Sequence, residues 1–276
     1  MQVARSWTPP VGPLGRLSSA SAERARAARA GQSYADQENQ ALGTPPAPDL
    51  CAALRAGDDI TVIAELKRSS PSRGAINESL DAVLQVRNYA IGGARAFSIL
   101  TESTEFGGSL NDLRVAAALG LAPCIRKDFI TDAVQLVEAR RAGAAGALLI
   151  ARAMPAAHLT ELVFAARMLG LEPLVEVRDE DELATALDAG ALLIGVNNRN
   201  LETLELDQAV SERLLPLVPV THIAIYESGV RSRDDIGRAA ACGADAVLVG
   251  SSISETDSPA AAVAALTGVP RQPRRA

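Results

Sequence analysis

The feature that most constrains this chain is an alternation of short apolar runs and helix-like segments that begins near residue 60 and continues to about residue 267. Each apolar run has the length and composition of a buried strand, and several of the following segments end in Gly where a helix C-cap is expected. The runs cover residues 61–66, 96–101, 122–127, 146–151, 173–177, 192–197, 222–227 and 246–251. Eight strand–helix units predict an α/β fold, the (β/α)8 TIM barrel. A doubly wound open sheet is the alternative, but no GxGxxG motif follows the first strand.

The first part of the chain has a different texture. Residues 1–48 are rich in Pro, Ala and Arg, and we interpret them as an N-terminal extension that is partly disordered. Within the extension, residues 21–30 predict a short helix with Ser21 as its N-cap. Residues 49–270 form the predicted barrel domain, and residues 271–276 form a tail.

Composition excludes several classes of function. A net charge of −6 and 3% aromatic residues disfavour nucleic-acid binding, which uses basic surfaces and stacking rings. No apolar run approaches the length that spans a membrane. Three separated cysteines and two histidines give no metal-binding motif. We therefore expect a cytoplasmic enzyme without metal or organic cofactor that acts on a small molecule as a monomer or weak homo-oligomer.

Lysine occurs at two positions only, Lys67 and Lys127, although the chain contains 27 Lys and Arg residues. Both lysines end apolar strands, and each has an arginine beside it, Arg68 and Arg126. A lysine can lose its proton when its surroundings lower its pKa, whereas an arginine effectively cannot. This placement predicts proton transfer or phosphate binding at one mouth of the barrel.

Polar residues also end most of the other strands, where a barrel of this type carries its active site. Residues two apart in a strand share a face, so the polar side chains near the ends continue the face of inward apolar residues. One such buried carboxylate or amide is more often a satisfied core group, but the repetition favours a shared site. The residues are Glu65, Lys67, Thr101, Glu102, Lys127, Asp128, Glu176, Asn197, Arg199, Glu227 and Ser228.

The last two strands end in glycine-rich sequences, ESGV at residues 227–230 and VGSSI at residues 249–253. Glycine lets backbone N–H groups approach an anion, and the loops after strands seven and eight commonly bind phosphate in this fold. We predict a phosphate site formed by Gly229, Gly250 and Ser251, with Lys67 reaching over it.

Together these blocks resemble the indole-3-glycerol-phosphate synthase family of tryptophan biosynthesis. The resemblance runs from about Pro45 to Thr267, in order, and rests on IAELKRSSPSRG, SILTE, FGGSL, IRKDFI, EPLVEV, IGVNNRNLETLELD, ESGV and VGSS. It implies closure of the indole ring of 1-(2-carboxyphenylamino)-1-deoxyribulose 5-phosphate, with loss of CO2 and water.

The resemblance also implies a role for each matching residue. Lys127 is the general acid of ring closure, and the other catalytic residues are Glu65, Lys67, Glu176, Asn197 and Ser228. The division of the dehydration step among Glu65, Lys67 and Glu176 stays open. Substrate contacts are implied for Ser70, Phe106, Arg199 and Glu227, and phosphate contacts for Lys67, Gly229, Gly250 and Ser251.

The chain departs from the family pattern in three places. The family's Lys- and Glu-rich N-terminal helix is not recognisable. Tyr226 stands where the family has a small residue, and we expect its side chain to face the helices. Asn200 stands where an Asp is common, and we expect this change to loosen the orientation of Arg199.

Two alternative functions remain. One alternative is a catalytically weak paralogue that binds phosphorylated ligands or a partner enzyme. The other is a phosphoribosylanthranilate isomerase, whose chemistry calls for a Cys/Asp pair, but Cys124 lies on the opposite strand face from Lys127.

Overall fold

The computed structural model describes residues 8–274, and this range contains ten strands. They are β1 (Thr61–Leu66), β2 (Ser69–Ser70), β3 (Gly74–Ala75), β4 (Ala96–Leu100), β5 (Cys124–Lys127), β6 (Gly146–Ile150), β7 (Glu172–Val177), β8 (Leu193–Asn197), β9 (Ile223–Glu227) and β10 (Ala246–Val249). Eight of them close into a parallel barrel in the order β1-β10-β9-β8-β7-β6-β5-β4, while β2 and β3 form a small hairpin after β1. The predicted (β/α)8 barrel is confirmed.

Barrel closure follows from the composition of the strands. Nearly every strand residue is buried, as expected when side chains pack inside the barrel and against the helices outside it. The inner and outer faces alternate as the sequence predicted. Tyr226, for example, is 2% exposed and lies near Asp235 and Arg238 of the helix that follows β9, so its predicted outward orientation is confirmed.

The same range contains twelve α-helices, most of which lie between the strands. They are α1 (Gly12–Arg29), α2 (Tyr34–Leu42), α3 (Leu50–Arg55), α4 (Ala82–Ile91), α5 (Leu110–Ala118), α6 (Ala133–Arg141), α7 (Ala156–Met168), α8 (Glu180–Asp188), α9 (Ala209–Leu214), α10 (Arg233–Ala241), α11 (Ser251–Ser254) and α12 (Pro259–Ala264). Several begin with a polar cap; at α10, for example, Ser232 and Asp235 form a reciprocal capping box. None of the described helices is long and apolar enough to cross a membrane.

The prediction for the N-terminal extension is wrong in detail. The helix expected over residues 21–30 begins at Gly12, because Pro13 occupies its first turn and Leu14 and Leu17 are buried. Ser21 is therefore not an N-cap: it lies inside α1, where its hydroxyl accepts a hydrogen bond from Gln135 of α6 at 2.7 Å. Disorder therefore remains a prediction for residues 1–7 alone, which lie outside the described range.

The C-terminal segment packs against the end of the barrel at which the strands begin. The Arg271 guanidinium donates to the backbone carbonyl of Leu54 at 2.6 Å and to the hydroxyl of Thr61 at 3.0 Å. Arg274 forms an ion pair with Asp245 at 2.7 Å. These contacts leave the carboxyl ends of the strands free to carry a site.

Candidate active site

One cavity lies at the carboxyl ends of the barrel strands, with a volume of about 1190 Å³ including solvent at its mouth. Every residue that the family resemblance implied for the site lines this cavity: Glu65, Lys67, Ser70, Phe106, Lys127, Glu176, Asn197, Arg199, Glu227, Ser228, Gly229, Gly250 and Ser251. Of the other polar strand-end residues predicted for the site, Asp128 lines the cavity, whereas Thr101 and Glu102 do not. The ends of β1, β5, β7, β8, β9 and β10 bring most of the lining residues together, while Ser70 comes from β2 and Phe106 from the loop after β4.

Lys127 lies at the centre of the polar network. Its Nζ is 3.0 Å from Oε2 of Glu227 and 3.2 Å from Oε2 of Glu176. The other oxygen of Glu176 accepts a hydrogen bond from the amide of Asn197 at 2.9 Å. Three neighbouring strand ends therefore hold one ammonium group through two buried carboxylates.

The surroundings of Lys127 set the charge state of the group. Burial lowers the pKa of Lys127, but Glu227, Glu176 and Glu65 raise it by more, so the pKa lies well above its usual range and the amine is protonated. Burial raises the pKa of Glu227 to about 7, helped by Glu176 and opposed by Lys127. The site thus contains a charged proton donor beside a carboxylate that titrates near neutral pH.

The second lysine forms a separate pair. Lys67 Nζ lies 2.6 Å from Oε1 of Glu65, and both side chains are largely buried. Gly250, at the end of β10, borders this pair. A Cβ atom on Gly250 would overlap the Glu65 carboxylate and lie 3.0 Å from Lys67 Nζ, so glycine gives the pair its space.

Asn197 and Ser228 connect the network to the loop after β8. Asn197 Oδ1 accepts hydrogen bonds from the Ser228 hydroxyl at 2.8 Å and from the Arg199 backbone N–H at 2.9 Å. The Arg199 guanidinium donates to the backbone carbonyl of Leu204 at 2.8 Å. Asn200 caps the same turn, because its side-chain oxygen accepts hydrogen bonds from the backbone N–H groups of Glu202 and Thr203. We expected Asn200 to loosen the orientation of Arg199, but the Leu204 carbonyl holds the guanidinium in place.

The two glycine-rich loops lie side by side. Ser228 and Gly229 have φ angles of 69° and 89°, so both residues adopt the left-handed conformation that turns the backbone sharply after β9. The Ser252 hydroxyl donates to the backbone carbonyl of Val230 at 3.0 Å and ties the two loops together.

Arginine side chains from three loops surround the cavity mouth. Burial lowers the pKa of Arg199, and the nearby charges of Arg231 and Arg73 lower it further. All three line the cavity. This accumulation of positive charge favours an anionic ligand.

The opposite wall of the cavity is apolar. Leu100, Leu148 and Ile150 contribute aliphatic side chains. The Phe106 and Phe129 rings lie 5.9 Å apart at 42°. The fourth barrel strand, β6, which offered no catalytic candidate in the sequence, thus supplies part of a surface suited to an aromatic ring.

Sequence reasoning missed the contribution of α1. Pro13 and Leu17 line the cavity, and the backbone N–H of Leu14 donates to the carbonyl of Leu201 after β8 at 2.9 Å. A helix therefore packs at the cavity mouth, although the Lys- and Glu-rich N-terminal helix of the family was not recognisable in the sequence. The apolar spacing of Leu14, Leu17 and Ala25 was the available signal, but the Ala/Arg bias of the segment obscured it.

Arg24 fixes α1 to two other strand ends. Its guanidinium lies 2.9 Å from Asp128 and 3.4 Å from Glu102, two carboxylates that are almost fully buried. Glu102 also accepts from three backbone N–H groups, including that of Phe106, and does not line the cavity. These two predicted strand-end acids therefore organise loops and α1.

The isomerase alternative finds no support in this geometry. Cys124 is buried in β5 and does not line the cavity, and burial raises the pKa of its thiol to about 12. Within residues 8–274 no group of three or more His, Cys, Asp or Glu side chains is arranged to hold a metal ion.

Comparison with solved structures supports the fold. A 3-hexulose-6-phosphate synthase from Salmonella typhimurium superposes with a TM-score of 0.61 at 15% identity, covering 75% of this chain and 96% of that one. A structure titled KGPDC, from Streptococcus mutans, gives a TM-score of 0.58 at 16% identity, with coverages of 75% and 95%. At these identities the similarity concerns the barrel alone.

Sequence comparison is more specific. The family model described as indole-3-glycerol phosphate synthase matches residues 14–266. The indole-3-glycerol phosphate synthase of Streptomyces griseus is 46% identical over 241 residues, or 87% of this chain and 89% of that protein. Indole-3-glycerol phosphate synthase 1 of Streptomyces coelicolor has the same identity and coverage. The resemblance inferred from the motifs is confirmed, and the chain belongs to the indole-3-glycerol phosphate synthase family.

Proposed function

We propose that the barrel mouth closes the indole ring of 1-(2-carboxyphenylamino)-1-deoxyribulose 5-phosphate with Lys127 as the general acid. Family membership makes the chain a decarboxylating lyase of tryptophan biosynthesis. The contact of Lys127 with two buried carboxylates is the observation that supports this assignment of the acid.

Ring closure forms a bond between the ring carbon that carries the carboxylate and the ketose carbonyl carbon. The carbonyl oxygen gains negative charge and takes the proton from Lys127. The bond to the carboxylate then breaks, its electrons restore the aromatic ring, and CO2 leaves. Loss of the proton from Lys127 leaves Glu176 and Glu227 without a cation, so both carboxylates favour its return between turnovers.

The same geometry suggests how the substrate lies. The phosphate would be held by the loops of Gly229, Gly250 and Ser251, with Lys67 beside them. The carboxyphenyl ring would lie on the apolar wall near Phe106. A phosphorylated small-molecule substrate fits the family.

The sugar portion would then reach the polar network between these ends. Asn197 and Ser228 would contact the sugar hydroxyls, while Arg199, Ser70 and Glu227 would contact the substrate around them. These residues already hold one another by hydrogen bonds, so they offer a largely preorganised surface.

Dehydration needs an acid to protonate the leaving hydroxyl and a base to remove a proton from the ring being formed. Glu65, Lys67 and Glu176 all line the cavity and remain the candidates. The short Lys67–Glu65 contact supports this pair as the acid and the base, because it places a proton donor and a proton acceptor side by side in the cavity.

The direct test is to incubate the purified chain with 1-(2-carboxyphenylamino)-1-deoxyribulose 5-phosphate, without added metal, and to follow indole fluorescence. A rate proportional to enzyme concentration is expected, and CO2 should form in equal amount. A folded protein that binds the substrate without turnover would instead support the weak paralogue. Turnover under these conditions would also support independence of added cofactors, whereas a cytoplasmic location and a monomer or weak homo-oligomer remain separate predictions.

A further inference from the structure

Gly195 lies in the middle of β8 and presents its Cα atom to the barrel interior. In the strand register it is paired with Glu176 of β7 and Ile225 of β9. A Cβ atom on Gly195 would overlap Oε1 of Glu227 and would lie 3.2 Å from a methyl carbon of Leu174. Gly195 is not among the residues with positive φ, so its backbone does not require glycine. A glycine inside a strand weakens the strand and calls for another explanation, such as the close approach of a neighbouring group.

The group that approaches Gly195 is part of the central network. Glu227 is 1% exposed, and its Oε2 contacts Lys127. Its Oε1, the atom facing Gly195, is buried and accepts no hydrogen bond from any residue in the described part of the chain. Hydrogen bonds therefore do not fix this end of the carboxylate. The oxygen instead occupies the space that a side chain at position 195 would fill.

We propose that Gly195 is a positioning residue for the reaction: its missing side chain forms the space that keeps the Glu227 carboxylate against Lys127. The inference rests on the proposed role of Lys127 as the general acid. Gly250 provides the same space for Glu65 beside Lys67. The Lys127–Glu227 pair thus lies beside Gly195, and the Lys67–Glu65 pair lies beside Gly250. Gly250 is also a predicted phosphate contact, whereas Gly195 is not predicted to contact the substrate.

An alanine at position 195 has a predictable effect on Lys127. The charged groups that face Lys127 are Glu65 from β1, Glu176 from β7 and Glu227 from β9. Displacing Glu227 removes one of the three carboxylates that raise the pKa of Lys127, so this pKa falls. Displacing the carboxylate also removes a contact that holds the Lys127 ammonium group in place, so the loss should fall on kcat more than on KM.

The experiment compares Gly195→Ala with two control variants. At Gly237, in α10, a Cβ atom would meet nothing within 4 Å. At Gly146, in β6, it would meet the backbone oxygen of Glu172 at 2.5 Å and a Leu50 methyl at 2.7 Å, in the core and outside the cavity. Gly237→Ala should resemble the parent enzyme, whereas Gly146→Ala should lower the melting temperature with little change in kcat.

For Gly195→Ala we expect kcat to fall about 10- to 100-fold, as for a misplacement of about 1 Å, with a smaller change in KM. Unchanged kcat in folded Gly195→Ala protein, or a loss that falls on KM alone, would overturn the inference.

A second background separates the proposed contact from general strain. Glu227→Asp shortens the side chain and withdraws the carboxylate from position 195. Glu227→Asp should itself lower kcat. Adding Gly195→Ala to the Glu227→Asp variant should then lower kcat by less than about threefold further, compared with about 10- to 100-fold in the parent enzyme. An equal loss in both backgrounds, or failure of both Gly195→Ala proteins to fold, would place the strain in the strand and overturn the inference. Failure of the proposed function would be recognised separately, by turnover that survives Lys127→Met.

Discussion

Replacement of Lys127 by methionine tests the central assignment. Methionine is also unbranched and fills much of the same space, but it removes the ammonium group that lies between Glu176 and Glu227. The proton donor of ring closure would be lost, while the phosphate loops and the apolar wall would stay in place. We therefore expect the loss to fall on kcat.

The expected size follows from the geometry. General acid catalysis contributes about 10²- to 10⁴-fold, which corresponds to about 3–5 kcal/mol of barrier. The upper half of this range applies here, because the only other lysine, Lys67, is already engaged with Glu65 at 2.6 Å. We expect kcat to fall at least about 10³-fold.

The substitution also changes stability in a pH-dependent way. Lys127 is the group that lowers the pKa of Glu227, so without it this pKa rises above its value of about 7. A carboxyl group whose pKa is raised in the folded state stabilises the fold at low pH and loses that contribution as the pH rises. The variant should therefore melt at a lower temperature than the parent at pH 8, with a smaller difference at pH 5.

The assay combines indole fluorescence with calorimetric titration of the substrate into the inactive variant. Lys127→Arg is the matched control, because arginine keeps the positive charge between the two glutamates but does not release a proton at usable pH. Both variants should bind substrate within about tenfold of the parent affinity and both should lack turnover. Turnover of Lys127→Met within tenfold of the parent would refute the assignment.

Three further outcomes follow from the electrostatics and from α1. The acid limb of the kcat/KM profile should have an apparent pKa near 7, the value that burial gives Glu227, and Glu227→Gln should remove this limb; a limb that persists in the variant would assign it to another group. Burial and the charge of Asp179 raise the pKa of Glu182 from 4.5 to about 7, so the folded state loses stability as the pH rises through this interval. Glu182→Gln should consequently stabilise the protein by about 1–3 kcal/mol at pH 8 and not at pH 4, as measured by calorimetry. Arg24→Ala removes the cation that joins α1 to two buried carboxylates and should raise KM and lower the melting temperature, whereas Arg26→Ala, whose ion pair is exposed and within α1, should change neither.

The strand ends could be predicted from sequence because two simple rules determine them. Side chains alternate along a strand, and parallel strands all end at the same side of a barrel. Glu176 and Asn197 could therefore be assigned to one site without knowledge of their distance. The hydrogen bond between Asn197 and Glu176 depends on side-chain geometry that these rules do not specify, and so does the contact of Lys127 with the carboxylates of Glu176 and Glu227.

The features that escaped prediction depend on contacts between segments far apart in sequence. Arg24 is one arginine among many in an Ala/Arg-rich segment, and its role arises from Glu102 and Asp128, which lie 78 and 104 residues away. Gly195 is a more instructive case, because the relevant property is an absence. A glycine in a strand is compatible with a turn, a bulge or a close approach, and only the position of Glu227 on the neighbouring strand selects among these. The sequence can thus identify which groups react, while the groups that hold them in place become visible only when the barrel brings its strands together.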